Sequence, residues 1–246
     1  MKNQYFGDIR DLFKYDLIQE ILDEINSLEK RFTFIPLLTK NDSKTRDGNK
    51  RDFDKAKAGT KNKELIEFLK PYNEIDPKLR DFTEIGKYFK PKGFKICIYK
   101  GQGNDYFNNR IRGDYFKNIP EGFLHKSLVF VDPDNGLEIK KSRAKHLLYS
   151  EVKYLYDRMD EDSILMIFQY FPREKHPKYL RKRSNKLKEL TEDLPIYISD
   201  NEIMFFLLTK NDELKSQLKK IVNRYLRDYP DLCKGSAILT PSVATS

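Results

Sequence analysis

Asp132-Pro133-Asp134-Asn135-Gly136, with Glu138 and Lys140 just beyond, puts two carboxylates, an amide and a glycine into one turn. Such residues serve three chemistries. A carboxylate beside a proline carbonyl accepts hydrogen bonds from an amine and orients its lone pair. Clustered carboxylates hold a hard divalent cation through oxygen. An Asp-Asn-Gly turn also simply caps and reverses a chain. The turn follows Leu128, Val129, Phe130 and Val131, an apolar run that reads as a buried strand. Beyond the carboxyl ends of strands is where open α/β sheets bind their ligands.

The stretch from Pro133 to Lys140 also imitates the Pro-Asp…Glu-x-Lys pattern of restriction-type nucleases, whose chemistry needs carboxylates on Mg²⁺ and a lysine near the attacking water. In those enzymes the two halves stand on separate strands with a longer interval; here only three residues lie between Asp134 and Glu138. A wider set, Asp132, Asp134, Glu138 and Glu151, is the alternative site for Mg²⁺. A second cluster lies downstream. Gln169, Tyr170 and Phe171 end an apolar run, Arg173 follows, and Arg181, Lys182, Arg183, Lys186 and Lys188 crowd the next helix. Aromatic faces stack on bases while Lys and Arg neutralise phosphates, so this region is the candidate nucleic-acid contact. His125, His146 and His176 are scattered and form no zinc motif, with His176 reading as a helix-start residue. Gly101 and Gly103 in "GQGNDY" read as a flexible turn, since a P-loop lysine is missing.

These residues need a framework, and the chain supplies it. Its 246 residues are 39% hydrophobic and 13% aromatic, enough for a substantial core despite 35% charged residues. Mean hydropathy of −0.73 and the lack of a long uncharged apolar run exclude a membrane span. No apolar signal segment opens the chain, so the cytoplasm is the expected location. Cys97 and Cys233 are too few for a disulfide framework; Cys97 reads as buried. A net charge of +9 favours a polyanionic partner.

Apolar spacing predicts a helix over Asp11 to Lys30, a strand at "RFTFIPLL", helices at "ELIEFLK" and "PKLRDFTEIGKYF", and a strand at "FKICIYK". After the strand at 127–131 come a helix at "HLLYSEVKYLYDRM", a strand at "SILMIFQYF" and the basic helix. Two apolar runs split by Ser199-Asp200-Asn201-Glu202 predict a hairpin, and a final helix starts near Asp212. The expectation is one α/β domain over 1–234 with a mostly parallel sheet, a C-terminal antiparallel β-hairpin and a polar insertion at about 39–61. Residues 235–246 lose their charge and read as a disordered or extraneous tail.

Strand, acidic proline turn, helix, strand, helix, hairpin resembles the second half of class I S-adenosylmethionine-dependent methyltransferases. "VFVDPDNG" is similar to their Asp-Pro-Pro-aromatic motif, with Asp134-Asn135 in place of the second proline and the aromatic. "GDIRDLFKY" resembles the Gly-Asn-x-x-Asp-x-x-Lys-His opening of the large-subunit ribosomal RNA adenine-N6 methyltransferases: Gly7, Asp11 and Lys14 coincide, while Asp8 and Tyr15 replace Asn and His. The pair also resembles a bacterial and archaeal group with a GDI…KY…DPDNGLE signature. The resemblance implies a Rossmann-like, methyltransferase-type three-layer sandwich and methyl transfer from S-adenosylmethionine to an exocyclic base amine of nucleic acid. It implies Asp132, Pro133, Asp134 and Asn135 at the reacting centre, and Asp8 and Lys14 at the cofactor. Where such an enzyme has a Gly-rich loop after its first strand, this chain offers only Gly48. A Mg²⁺-dependent nuclease and a non-catalytic nucleic-acid-binding module of the same fold are the alternatives.

Overall fold

The protein is described from a computed structural model, covering residues 1–42, 50–101, 103, 106–172 and 176–233. Strands β1 (Arg31–Pro36), β2 (Lys95–Ile98), β3 (Leu128–Asp132), β6 (Ile164–Tyr170), β7 (Ile196–Ser199) and β8 (Ile203–Leu208) form the main sheet. Two short strands, β4 (Gly136–Leu137) and β5 (His146–Leu147), pair beside it. The helices are α1 (Ile9–Glu24), α2 (Lys63–Leu69), α3 (Gly86–Phe89), α4 (Arg112–Lys117), α5 (Tyr149–Arg158), α6 (His176–Thr191), α7 (Asp212–Asp228) and α8 (Pro230–Cys233). Sheet order is β2-β1-β3-β6-β8-β7. The first four run parallel; β8 is antiparallel to both β6 and β7. This mixed, mostly parallel α/β arrangement is compatible with a Rossmann-like fold.

Alternation along the strands builds two apolar layers. Phe32, Phe34, Leu128, Phe130, Ile164, Met166, Phe168 and Phe205 join α1 and α7 on one face. Ile35, Val129, Val131, Leu165, Ile167 and Phe206 join α5 and α6 on the other. Covered on both faces, the strands read as nearly continuous apolar runs. Among the described residues no helix is long and apolar enough to cross a membrane.

Several boundaries differ from those expected. The first helix begins at Ile9 under an Asp8 cap and stops at Glu24, because Ile25 leaves helical backbone and Asn26–Leu28 tightens into a 3-10 turn before β1. The helix expected at "PKLRDFTEIGKYF" is confined to a 3-10 turn, Phe82–Ile85, and the single turn of α3. Cys97 is half-buried rather than buried, because β2 is an edge strand covered less completely. Within the polar insertion, Phe53 and Ala58 reach the core and pin its second half. Residues 43–49, with Gly48, lie outside the described residues, as do Gln102, Asn104, Asp105, Arg173 and the 235–246 tail.

Candidate functional site at the carboxyl rim

The N-terminal motif and the acidic turn meet where β3 ends. Gly7 sits at φ +89°, and a Cβ there would lie 2.7 Å from the Tyr72 Cβ. Its amide donates to Asp11 Oδ2 at 2.9 Å, and Asp8 Oδ1 accepts from the amides of Arg10 (2.9 Å) and Asp11 (3.1 Å), capping α1. One turn on, Lys14 Nζ donates to Asp11 Oδ1 and to Asp132 Oδ2, each at 2.8 Å. Asp8, Asp11, Lys14 and Asp132 are all buried. The rings of Tyr15, Phe130 and Phe168 lie 5.4 to 5.7 Å from Nζ. Burial alone would discharge Lys14, but Asp11 and Asp132 overcome it and hold the ammonium well above its ordinary range. Burial pushes Asp8 up to about 7, aided by the Asp11 charge and opposed by Arg10. Gly7-Asp8-x-x-Asp11-x-x-Lys14 is therefore a device that caps a helix, seats a lysine and fixes Asp132.

The rest of the turn is held just as firmly. Asp134 accepts from Thr39 Oγ1 at 3.0 Å and faces Lys2 at 3.2 Å, Lys145 at 3.4 Å and the Met1 ammonium at 3.6 Å. Burial works against ionisation, yet these cations lower the Asp134 carboxyl to about 2. Pro133 is buried, whereas Asn135 is exposed and has no side-chain hydrogen bond among the described residues. Gly136 has φ +106°, and a Cβ there would fall inside the Gln169 amide. Gln169 Oε1 accepts from the Leu137 amide at 2.7 Å, while Nε2 donates to the carbonyls of Asn135 (3.3 Å) and Tyr170 (2.6 Å). Gln169, expected to touch nucleic acid, instead clamps the turn from beneath.

The four carboxylates of the alternative metal set do not converge. Lys14 engages Asp132, and Lys2 and Lys145 face Asp134. Glu138 accepts from the Tyr149 amide at 2.9 Å, and both oxygens of Glu151 accept from Arg112 at 2.6 Å. Among the described residues no three His, Cys, Asp or Glu side chains are placed to hold a metal ion. On α6, Arg181, Lys182 and Lys186 are exposed, the last paired with Glu189 at 2.9 Å. Arg183 turns inward and donates to the Glu138 carbonyl and to the Tyr149 hydroxyl, so it supports the site rather than facing solvent. Arg173 lies outside the described residues.

S-adenosylmethionine would need backbone donors beyond β1. Residues 37–42 contain no glycine. The Leu37 amide donates to the Asp132 carbonyl at 3.1 Å and the Thr39 amide to the Met1 carbonyl at 2.9 Å. The Gln4 side chain accepts from the Asp42 amide at 2.6 Å, and Lys2 pairs with the Asp42 carboxylate. The amides of Leu37, Thr39 and Asp42 are thus engaged within the protein, and Asp8 and Lys14 are committed to the buried network. A small cavity of about 110 Å³ lies between the ends of β1 and β2, walled by Pro36, Leu38, Phe82 and Phe107.

Sequence reasoning missed the open part of the rim. A cleft of about 990 Å³ lies beyond β1 and β3, with Lys40, Tyr106, Asn135, Arg143, Lys145 and His146 among its lining. Tyr106 is 38% exposed. Lys40 and Arg143 are exposed cations. His146 Nδ1 accepts from the Arg143 amide at 3.3 Å, which puts the neutral ring's proton on Nε2. Burial lowers the His146 pKa, and the charges of Arg112 and Arg183 lower it further, which favours that neutral form. The available signal was the basic run Arg143-Ala144-Lys145-His146 close after the acidic turn. No protein-family model, curated protein or solved structure matches the chain.

Proposed function

We propose that this protein binds single-stranded nucleic acid in the rim cleft, on a methyltransferase-type three-layer scaffold whose last two sheet strands form an antiparallel β-hairpin. One observation carries the reading: an exposed ring, Tyr106, and three cations, Lys40, Arg143 and Lys145, line one cleft with the exposed amide of Asn135. Single strands are gripped by stacking on aromatic faces while basic side chains follow the backbone. A duplex hides its base faces and cannot use Tyr106 in this way. Asn135 and His146 Nε2 offer hydrogen bonds to a base edge, and Lys40 and Arg143 take phosphates. The net charge of +9 adds long-range attraction. The direct test is anisotropy of a labelled oligonucleotide across a salt series. Arg143→Ala is expected to weaken binding and reduce the salt slope by about one unit. An unchanged slope would remove Arg143 from the interface.

A second reading is methyl transfer to an exocyclic base amine, in line with the resemblance. Two observations favour it. The sheet is mostly parallel, with an antiparallel strand, β8, between β6 and β7, which is compatible with a Rossmann-like fold. Asp132-Pro133 ends the central β3, with its carboxylate oriented by Lys14. Fold alone does not confer activity, and among the described residues beyond β1 the amides of Leu37, Thr39 and Asp42 are already engaged. Calorimetric titration of S-adenosylmethionine into the wild type and Asp132→Asn decides this reading: saturable binding altered by the substitution supports it, and no binding ends it.

A further inference from the structure

A second hollow, of about 370 Å³, lies toward the other edge of the sheet, where β6 ends and β8 begins. Arg10, Lys50, Arg51, Lys55 and Lys57 line it, against Asp52, Asp200 and Glu202. The cations outnumber the carboxylates, and the carboxylates are already in use. Glu202 alone receives Arg10, at 2.9 Å, and Lys50. Asp200 Oδ1 accepts from the amides of Glu202 (2.6 Å) and Ile203 (2.7 Å), which ties it to the turn before β8. Asp52 pairs with Lys55 at 2.7 Å. Lys57 is half-buried and its charge acts on Asp200 across the hollow. Arg10 also faces Asp8 at 3.7 Å, while its Nε is buried with no hydrogen-bond partner and its guanidinium, 5.1 Å from the Tyr170 ring, is fixed in place. A positively charged, partly desolvated hollow is a place where an anion gains more than in open water.

We infer that this hollow is a phosphate-binding site, in which Lys57, Lys50 and the Arg10 guanidinium contact the phosphate oxygens. Arginine's planar fork and lysine's compact charge together suit a tetrahedral dianion. The site is separate from the rim cleft and does not depend on its ligand. The phosphate has two possible sources, a free phosphate or nucleotide and the backbone of a nucleic acid, and both present the same oxygens.

Calorimetric titration of inorganic phosphate and pyrophosphate against a chloride background tests the inference. Saturable binding to the wild type is expected, weakened about tenfold by Lys57→Ala, as loss of one charge-assisted contact predicts. In an Arg143→Ala background, which removes the phosphate contact assigned to the cleft, the Lys57-dependent part of phosphate binding should persist. Arg10→Lys keeps a charge but loses the fork and should weaken binding as well; circular dichroism checks that each variant is folded. A dinucleoside monophosphate that competes with phosphate assigns the hollow to a backbone phosphodiester, and one that does not assigns it to a free or terminal phosphate. Absence of saturable phosphate binding in the wild type would overturn the inference. So would folded Lys57→Ala and Arg10→Lys proteins that bind as the wild type does. Loss of oligonucleotide binding in Arg143→Ala with the Lys57-dependent phosphate binding intact would leave the two sites distinct.

Discussion

Lys14 and Lys186 are the same side chain in opposite settings. Lys14 is buried between Asp11 and Asp132 and surrounded by three rings; Lys186 meets Glu189 on the open face of α6. Sequence alone makes Lys186 look functional, as part of a dense basic run. Burial reverses the ranking, because a desolvated charge depends on its partners while a solvated one has water. The rim is divided along the same line: an interior network positions the acidic turn, and an exposed cleft is left to meet a ligand.

The strongest way to break this contrast is Lys14→Met. It leaves two buried carboxylates without their cation and is expected to cost about 3–5 kcal/mol, read from the urea midpoint. Adding Asp132→Asn should recover part of the loss, since neighbours in one network are not additive. Lys186→Ala, by contrast, should leave the midpoint where it is.

Gly136→Ala comes next. Its positive φ and the Gln169 amide leave no room for a methyl group, so a loss of about 2 kcal/mol is expected. Combining it with Gln169→Ala clears the space but removes the clamp; a double variant no less stable than Gln169→Ala alone would identify the clash as the cause.

Asp8 gives the contrast a pH dependence. Its folded value of about 7 lies above the ordinary carboxyl value near 4. Between these limits the unfolded chain releases the proton first, so this group's contribution makes stability fall as pH rises, levelling above about 7. Asp8→Asn retains a capping side chain and removes the titration. The variant's thermal midpoint relative to wild type should therefore climb from about pH 4 to about pH 7. A constant difference across that range would show that Asp8 is not held above its ordinary value.

Much of this was legible in the chain. The strands announced themselves because β1, β3, β6 and β8 are apolar on both faces, and Asp132 was placed correctly at a strand end. Gly7, Asp11 and Lys14 were marked by the resemblance of the N-terminal motif, but the Lys14 contact with Asp132 spans 118 positions and only the fold reveals it. Gln169 and Arg183 were misleading for a related reason. Their types suit nucleic acid, yet β6 and α6 turn them inward, and direction along a helix or strand depends on what packs against it. Tyr106 and Arg143 went unassigned because they lie in irregular segments, where no period in the sequence says which residues share a cleft.

The most direct test of the account is to compare a single-stranded oligonucleotide with its duplex, by anisotropy, on wild type and Tyr106→Ala. The account predicts tighter binding of the single strand, weakened by Tyr106→Ala to the extent of about 1–3 kcal/mol, with duplex binding nearly unaffected. Equal affinity for both forms, or a single-strand affinity that does not respond to loss of the ring, would contradict it.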